Sequence, residues 1–308
     1  MSSPTGYTGV LFTDGLKDLK TGLVPSASGS AYLELESSSA PANKDSLIPS
    51  SSALKLTCSV HGPRPLPRSS PFTPHILLTT HIKFAPFASR QRRGYVRDAS
   101  ERDLAVHLQT ALRGVIIGDR SPKSGVDVVI TVLEGEEDHW YGDARGKPDI
   151  GSANGQASTG WGMMTVLAGC ITVASAAIVD AGIDCVDLVA GGVAAVVSES
   201  YDDDPTQTTI VLDPSPTEHR KIHAACVVGY LAARDEVTEL WIQGGIPSSG
   251  LDTEDPPKIE QLIDDAVRAA SGARKVLSQA VKEATLVKFG PDAQSATAAE
   301  VEGDHTMS

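Results

Sequence analysis

Residues 54–65 read LKLTCSVHGPRP. Leu54, Leu56, Cys58 and Val60 alternate with Lys55, Thr57 and Ser59, a period of two that predicts a strand with one buried face over Leu54–Val60. Upstream, SAYLEL (Ser30–Leu35) alternates small or polar residues with apolar ones in the same way, so the two stretches are read as a hairpin. The Ser/Pro/Ala-rich ESSSAPANKDSLIPSSSA between them is far longer than a hairpin turn needs and is read as an insertion near 36–52.

Working outward, residues 1–23 read as an N-terminal arm, and HILLTTHIKFAPF (His75–Phe87) as a third strand. Arg102–Ile116 carries Leu104, Leu108, Ala111, Leu112 and Val115 on one helical face, with Ser100 as the expected N-cap. Val126–Glu134 is a buried strand, and the polar, Gly-rich run near 135–160 a second insertion. Met163–Gly182, almost wholly apolar and rich in small residues, predicts a buried helix stopped by Gly182 rather than a membrane span. Four short strands follow, within CVDLVAGGVAAVV, TTIVLD, HAACVVGYLAA and EVTELWIQGG, and then an amphipathic helix beginning IEQLIDDAV. Residues 291–308 read as a disordered tail. The order predicts one α+β (α/β mixed-sheet) domain over 24–290, not a doubly wound sheet.

Composition narrows the function. With 26 Lys and Arg against 39 Asp and Glu, the net charge of −13 argues against nucleic-acid binding over the whole surface, so any such contact should be local. The N-terminus lacks the apolar core of a secretion signal. The four cysteines show neither C-x-x-C nor metal-ligand spacing and read as reduced, buried small hydrophobes of an intracellular protein.

Motifs of chemistry are sparse. GSANGQAST (Gly151–Thr159) has loosely P-loop-like glycines but lacks the lysine and the preceding strand. His107, His219 and His223 come without a nucleophile elbow, and Asp202-Asp203-Asp204 before a proline fits a solvated turn better than a cation site. No metal and no cofactor is expected. One stretch stands against the acidic background: SRQRRGYVR (Ser89–Arg97), with Arg90, Arg92, Arg93, Arg97 and one aromatic, Tyr95. It suits either a solvated basic turn or a grip on phosphates with a stacking ring.

GSAYLEL, LKLTCSVHGPRP, FAPFASRQRR, LQTALRGVI, VDVVITVLE, AIVDAGI, DLVAGG and VLDPSPTEH occur in the order found in the RNase PH family, and the chain resembles that family over roughly residues 24–290. The resemblance implies an RNase PH-like fold, related to the ribosomal protein S5 domain 2-like fold. Active members are phosphorolytic exoribonucleases whose phosphate loop, Gly-Gly-Thr-Arg-Thr, opens the second helix. Registered on Asp180-Ala181-Gly182-Ile183, that loop falls on Met164–Ala168, with its arginine replaced by Leu167. The family's carboxylate pair maps to Asp213 and His219, with Glu218 one residue early. Leucine offers no charge-assisted hydrogen bond to phosphate, each worth about 1.5–3 kcal/mol.

These departures resemble the RNase PH-like ring subunits of the eukaryotic RNA exosome. The resemblance then implies no catalytic residue and assembly with other RNase PH-like subunits and with S1/KH cap subunits in a hetero-oligomer. It further implies contact with single-stranded RNA through Arg90, Arg92, Arg93 and Arg97, no membrane partner, and a nuclear, nucleolar and cytoplasmic location. Two readings stay beside this one: an active phosphate-dependent 3′-to-5′ exoribonuclease, and a ring subunit whose arginines pair with acidic neighbours instead of RNA.

Overall fold

The computed structural model describes residues 16–36, 53–88, 94–135, 161–198, 208–214, 221–245 and 259–290. The predicted hairpin is strands β2 (Gly29–Glu36) and β3 (Ala53–Pro65), paired antiparallel from Gly29 opposite Val60 to Glu36 opposite Ala53. Ala31, Leu33, Leu54, Leu56, Cys58 and Val60 all point into the core, as the period of two requires. Leu16–Thr21, read from sequence as part of the arm, is instead strand β1, paired with β2. Its charged, short sequence LKDLKT carries little strand signal, and the pairing partner supplies what periodicity does not.

Strand β4 (Leu77–Phe84) runs parallel to β5 (Ser124–Glu134), and helix α1 (Ala99–Arg113) provides the crossover a parallel pair needs. The first sheet is therefore mixed, in the order β1-β2-β3-β5-β4. The single mixed sheet expected from sequence is joined by a second, wholly antiparallel one. It consists of β6 (Val189–Ser198), β7 (Thr208–Leu212), β8 (Lys221–Leu231) and β9 (Glu236–Gly244), ordered β7-β6-β8-β9. Periodicity identifies strands but does not say which share a sheet.

Helix α2 (Trp161–Asp180) lies between the sheets, against β2 and β3 on one side and β6 and β8 on the other. That position explains a helix apolar on every face. By length and composition Gly162–Asp180 could cross a bilayer, at a mean hydropathy of 2.0, but 89% of that stretch is buried inside the molecule. Gly182, at φ 71°, ends the helix in a Schellman turn, its amide donating to Val179 O at 3.0 Å and that of Ile183 to Ile178 O at 3.3 Å. Helix α3 (Ile259–Phe289) covers the other face of the second sheet, on β6 and β8.

Strand β6 is buried on both faces. Val193, Ala195 and Val197 pack with α2, while Ala194 and Val196 pack with Leu262 and Ala266 of α3. Neighbouring Gly191 and Gly192 let both helices approach the strand backbone. A Cβ on Gly191 would lie 2.3 Å from Ala168 O, and one on Gly192 2.3 Å from Ala266 O and Ala270 N. Strand β7 pairs only with Ala194–Ser198 of β6, and helix hydroxyls serve two of the remaining amides. Ser175 Oγ accepts from Val189 N at 3.1 Å, and Thr172 Oγ1 from Gly191 N at 3.1 Å. These two hydroxyls of a largely apolar helix spare the strand two unsatisfied buried amides, each of which costs about 1–3 kcal/mol.

The cysteines are free thiols; Cys58, Cys170 and Cys226 are buried, as the reading as small core hydrophobes expects, whereas Cys185 is only half-buried at the edge of the core. Desolvation pushes the Cys226 thiol up to about 12 and that of Cys185 to about 11, and raises those of Cys58 and Cys170 as well. None is a nucleophile at neutral pH.

Gly191→Ala should destabilise the fold by at least about 2 kcal/mol, because the added methyl meets helix backbone and not a movable side chain. Gly94→Ala, with no atom within 4 Å of the added carbon, is the control and should melt as the unsubstituted chain does. Thermal unfolding of the two variants side by side checks this.

Candidate nucleic-acid interface

Strand β4 alternates buried Leu78, Thr80, Ile82 and Phe84 with partly exposed Thr79, His81 and Lys83. The outward residues hold the chain that returns after the arginine stretch. Lys83 spends the three donors of its ammonium on Gly94 O at 3.0 Å, Val96 O at 3.1 Å and Glu101 Oε2 at 3.0 Å. Glu101, 1% exposed, also accepts from the amides of Phe84 and Asp98, both at 3.0 Å. One buried carboxylate thus ties the end of β4, the start of α1 and the intervening segment together, with its charge matched by Lys83.

Helix α1 begins with Asp98 as N-cap, and Glu101 completes a capping box. The cap expected at Ser100 is corrected to Asp98, since Ser100 already lies in the first turn. Leu104, Leu108, Ala111 and Leu112 form the buried face predicted for the helix, and Val115 is buried just beyond it.

Of the four arginines, Arg97 is described and exposed; Arg90, Arg92 and Arg93 lie outside the described residues. Arg97 Nη1 donates to Nδ1 of His81 at 2.9 Å. Arginine has no acceptor, so Nδ1 of that imidazole must carry the lone pair. Tyr95 and Val96 are 80% and 86% exposed beside it. Both flanks of 89–93 are fastened, Ala88 by its carbonyl accepting from Gly135 N at 3.1 Å and Gly94 by Lys83. This arrangement presents an arginine and an aromatic ring to solvent from a rigid base. Lys83, Glu101 and His81 were not singled out from sequence; the only available signal was the D-x-x-E spacing of Asp98 and Glu101.

The segment registered on the phosphate loop is not a loop. Met164–Ala168 lies within α2, with Met164, Leu167 and Ala168 fully buried, Val166 1% exposed and Thr165 8%. Small and aliphatic residues packed between two sheets favour helix there, and Leu167 joins the main hydrophobic core. Asp213 follows β7 at φ 52°, its amide donating to Val193 O at 2.8 Å. Glu218 and His219 lie outside the described residues, as do Asp202–Asp204 and the Gly151–Thr159 stretch. Among the described residues no group of His, Cys, Asp or Glu could hold a metal ion.

Residues 18–184 match the family model described as the 3′ exoribonuclease family, domain 1, of RNase PH. The chain belongs to the RNase PH family. Among its relatives is the exosome complex component MTR3 of Chaetomium thermophilum, 54% identical over 265 residues that span 86% of this chain and 84% of the relative. The archaeal exosome complex component Rrp41 of Pyrococcus horikoshii is 26% identical, over 92% of this chain and 88% of its own. In three dimensions the chain resembles rice (Oryza sativa) Rrp46, with a TM-score of 0.56 at 14% identity, covering 86% of this chain and 95% of that one. The RNase PH-like α+β fold expected from the sequence motifs is thereby borne out, and so is the resemblance to the RNase PH-like subunits of the RNA exosome.

Glu101→Gln removes the charge that Lys83 compensates and one acceptor of the clamp. Breaking a buried charge pair in this way costs about 3–5 kcal/mol. Limited trypsin digestion should then cut at Arg90–Arg97 markedly faster than in the unsubstituted chain. An unchanged cleavage rate would mean that the clamp does not hold this segment.

Proposed function

We propose that the chain is a non-catalytic ring subunit of an RNA exosome core. In this reading it supports 3′-to-5′ RNA processing and degradation by assembling the ring and guiding single-stranded RNA through its channel. The observation that carries the reading is the burial of Leu167 inside α2, at the position registered on the phosphate-binding arginine. An anion pocket needs donors directed at the ion, and here the backbone is engaged in a helix and the side chain in hydrocarbon.

Assembly with other RNase PH-like subunits is supported by the exosome-component names of the relatives, and in this reading the ring also takes S1/KH cap subunits. Assembly is also supported by β9, an edge strand on which Val237, Leu240 and Ile242 are 39%, 45% and 39% exposed. An open apolar edge is a liability for a monomer and a resource for a hetero-oligomer. The location that goes with this role is nuclear, nucleolar and cytoplasmic.

Arg97, with Arg90, Arg92 and Arg93, supplies the RNA contact. Four phosphate contacts to a single strand give a salt slope of roughly 0.7 × 4, about three units of log K per log of salt. Such contacts are blind to sequence, which suits a conduit.

The folded chain, incubated with single-stranded RNA, should release no nucleoside diphosphate whether or not orthophosphate is present; robust phosphate-dependent release would establish an active enzyme instead. In the assembled ring, replacing the four arginines by Glu should abolish that salt-dependent share of RNA binding while leaving assembly intact. Loss of assembly would favour arginines that pair with acidic neighbours.

A further inference from the structure

The end of α1 opposite the arginine stretch borders a cavity of about 650 Å³. Fifteen residues of helix at 1.5 Å each separate the two places by about 22 Å. The cavity is within the size range of ligand sites, and its walls are fixed by backbone hydrogen bonds. Ile76 N donates to Gly118 O at 3.2 Å, Ile117 N to Asp184 O at 2.9 Å, and Val186 N to Val115 O at 2.9 Å. Gln109, also on the wall, is engaged in capping the edge of β4 through Leu78 O at 2.7 Å.

The floor is aliphatic, from Ile76, Leu77, Ile116 and Ile117, with Leu77 48% and Ile117 37% exposed. Two guanidiniums line the same cavity, Arg113 from the last turn of α1 and Arg234 from the β8–β9 turn. That turn is held in place by Ala233 N donating to Asp187 Oδ2 at 3.1 Å and by Tyr230 Oη donating to Asp235 Oδ1 at 2.6 Å. Among the described residues nothing pairs with the Arg113 guanidinium, and Arg234 reaches Glu236 only at 4.0 Å. In a chain of net charge −13, two weakly compensated arginines over a hydrocarbon floor select an anionic, aliphatic occupant.

We infer that this cavity docks an acidic, aliphatic peptide segment of a partner protein, with carboxylates on Arg113 and Arg234 and hydrocarbon side chains on the floor. A peptide fits better than a nucleic acid. Among the described residues the lining holds no Phe, Tyr or Trp on which a base would stack.

The test uses the full chain and fluorescein-labelled decapeptide pools that alternate Asp or Glu with Leu, Ile or Val, alongside pools with Lys in place of the acids. The acidic pool should give saturable polarisation and the basic pool none. Arg113→Glu and Arg234→Glu should each weaken binding at least tenfold with unchanged melting. If either variant fails to fold, the exposed-site substitutions Leu77→Ser and Ile117→Ser, which strip hydrocarbon from the floor without adding charge, carry the same expectation. Replacing Arg90, Arg92 and Arg93 by Glu should leave peptide binding unaltered, so failure of the RNA reading is separable from failure here. Absence of saturable binding to the folded chain, indifference to all these pocket substitutions, or displacement of the peptide by ADP or single-stranded RNA would overturn the assignment.

Discussion

Two helices can reach the backbone of β6 because it carries two glycines in succession. Successive residues of a strand face opposite ways, so Gly191 opens one face to α2 at Ala168 and Gly192 opens the other to α3 at Ala266 and Ala270. Everything else in the arrangement follows from that contact. Helix α2 sits close enough for its Thr172 and Ser175 hydroxyls to serve strand amides, and it is thick enough with Leu, Ile and Met to fill the space up to β2 and β3. The first sheet, with its crossover helix α1, is then fixed relative to the second.

The same packing bears on chemistry. In this family a phosphate loop opens the second helix, whereas here the corresponding residues are helical and enclosed. Hydrocarbon burial and anion binding compete for one stretch of chain, since an exposed, glycine-rich backbone is what an anion needs and what a core excludes. Residues 94–97, which follow the rest of the arginine stretch, are instead tied through Gly94 O and Val96 O to Lys83, itself paired with Glu101, at the edge of the first sheet. The enclosed α2 segment and the exposed Arg97 thus lie on different elements, one between the sheets and one at the sheet edge.

Much of this was legible in the sequence, for reasons that differ by element. The β2–β3 hairpin announces itself by alternation, α1 by the spacing of Leu104, Leu108, Ala111 and Leu112, and the end of α2 by Gly182. Strand β1 was missed because Lys17, Asp18 and Lys20 mask a pairing that only β2 makes favourable. The division into two sheets escaped notice because periodicity carries no information about long-range pairing. Lys83 and Glu101 carry no signal of their own in the sequence beyond the D-x-x-E spacing, because only the return of the chain over β4 buries the carboxylate. The family itself came from ordered motifs and not from composition.

Leu167→Arg tests the account most directly, since it restores the family's arginine at the registered position. A guanidinium placed between the sheets without a partner costs several kcal/mol. The account predicts a chain that loses its cooperative melt and shows no saturable orthophosphate binding by ³¹P NMR titration. A folded Leu167→Arg chain that binds orthophosphate would contradict it and return position 167 to an anion site.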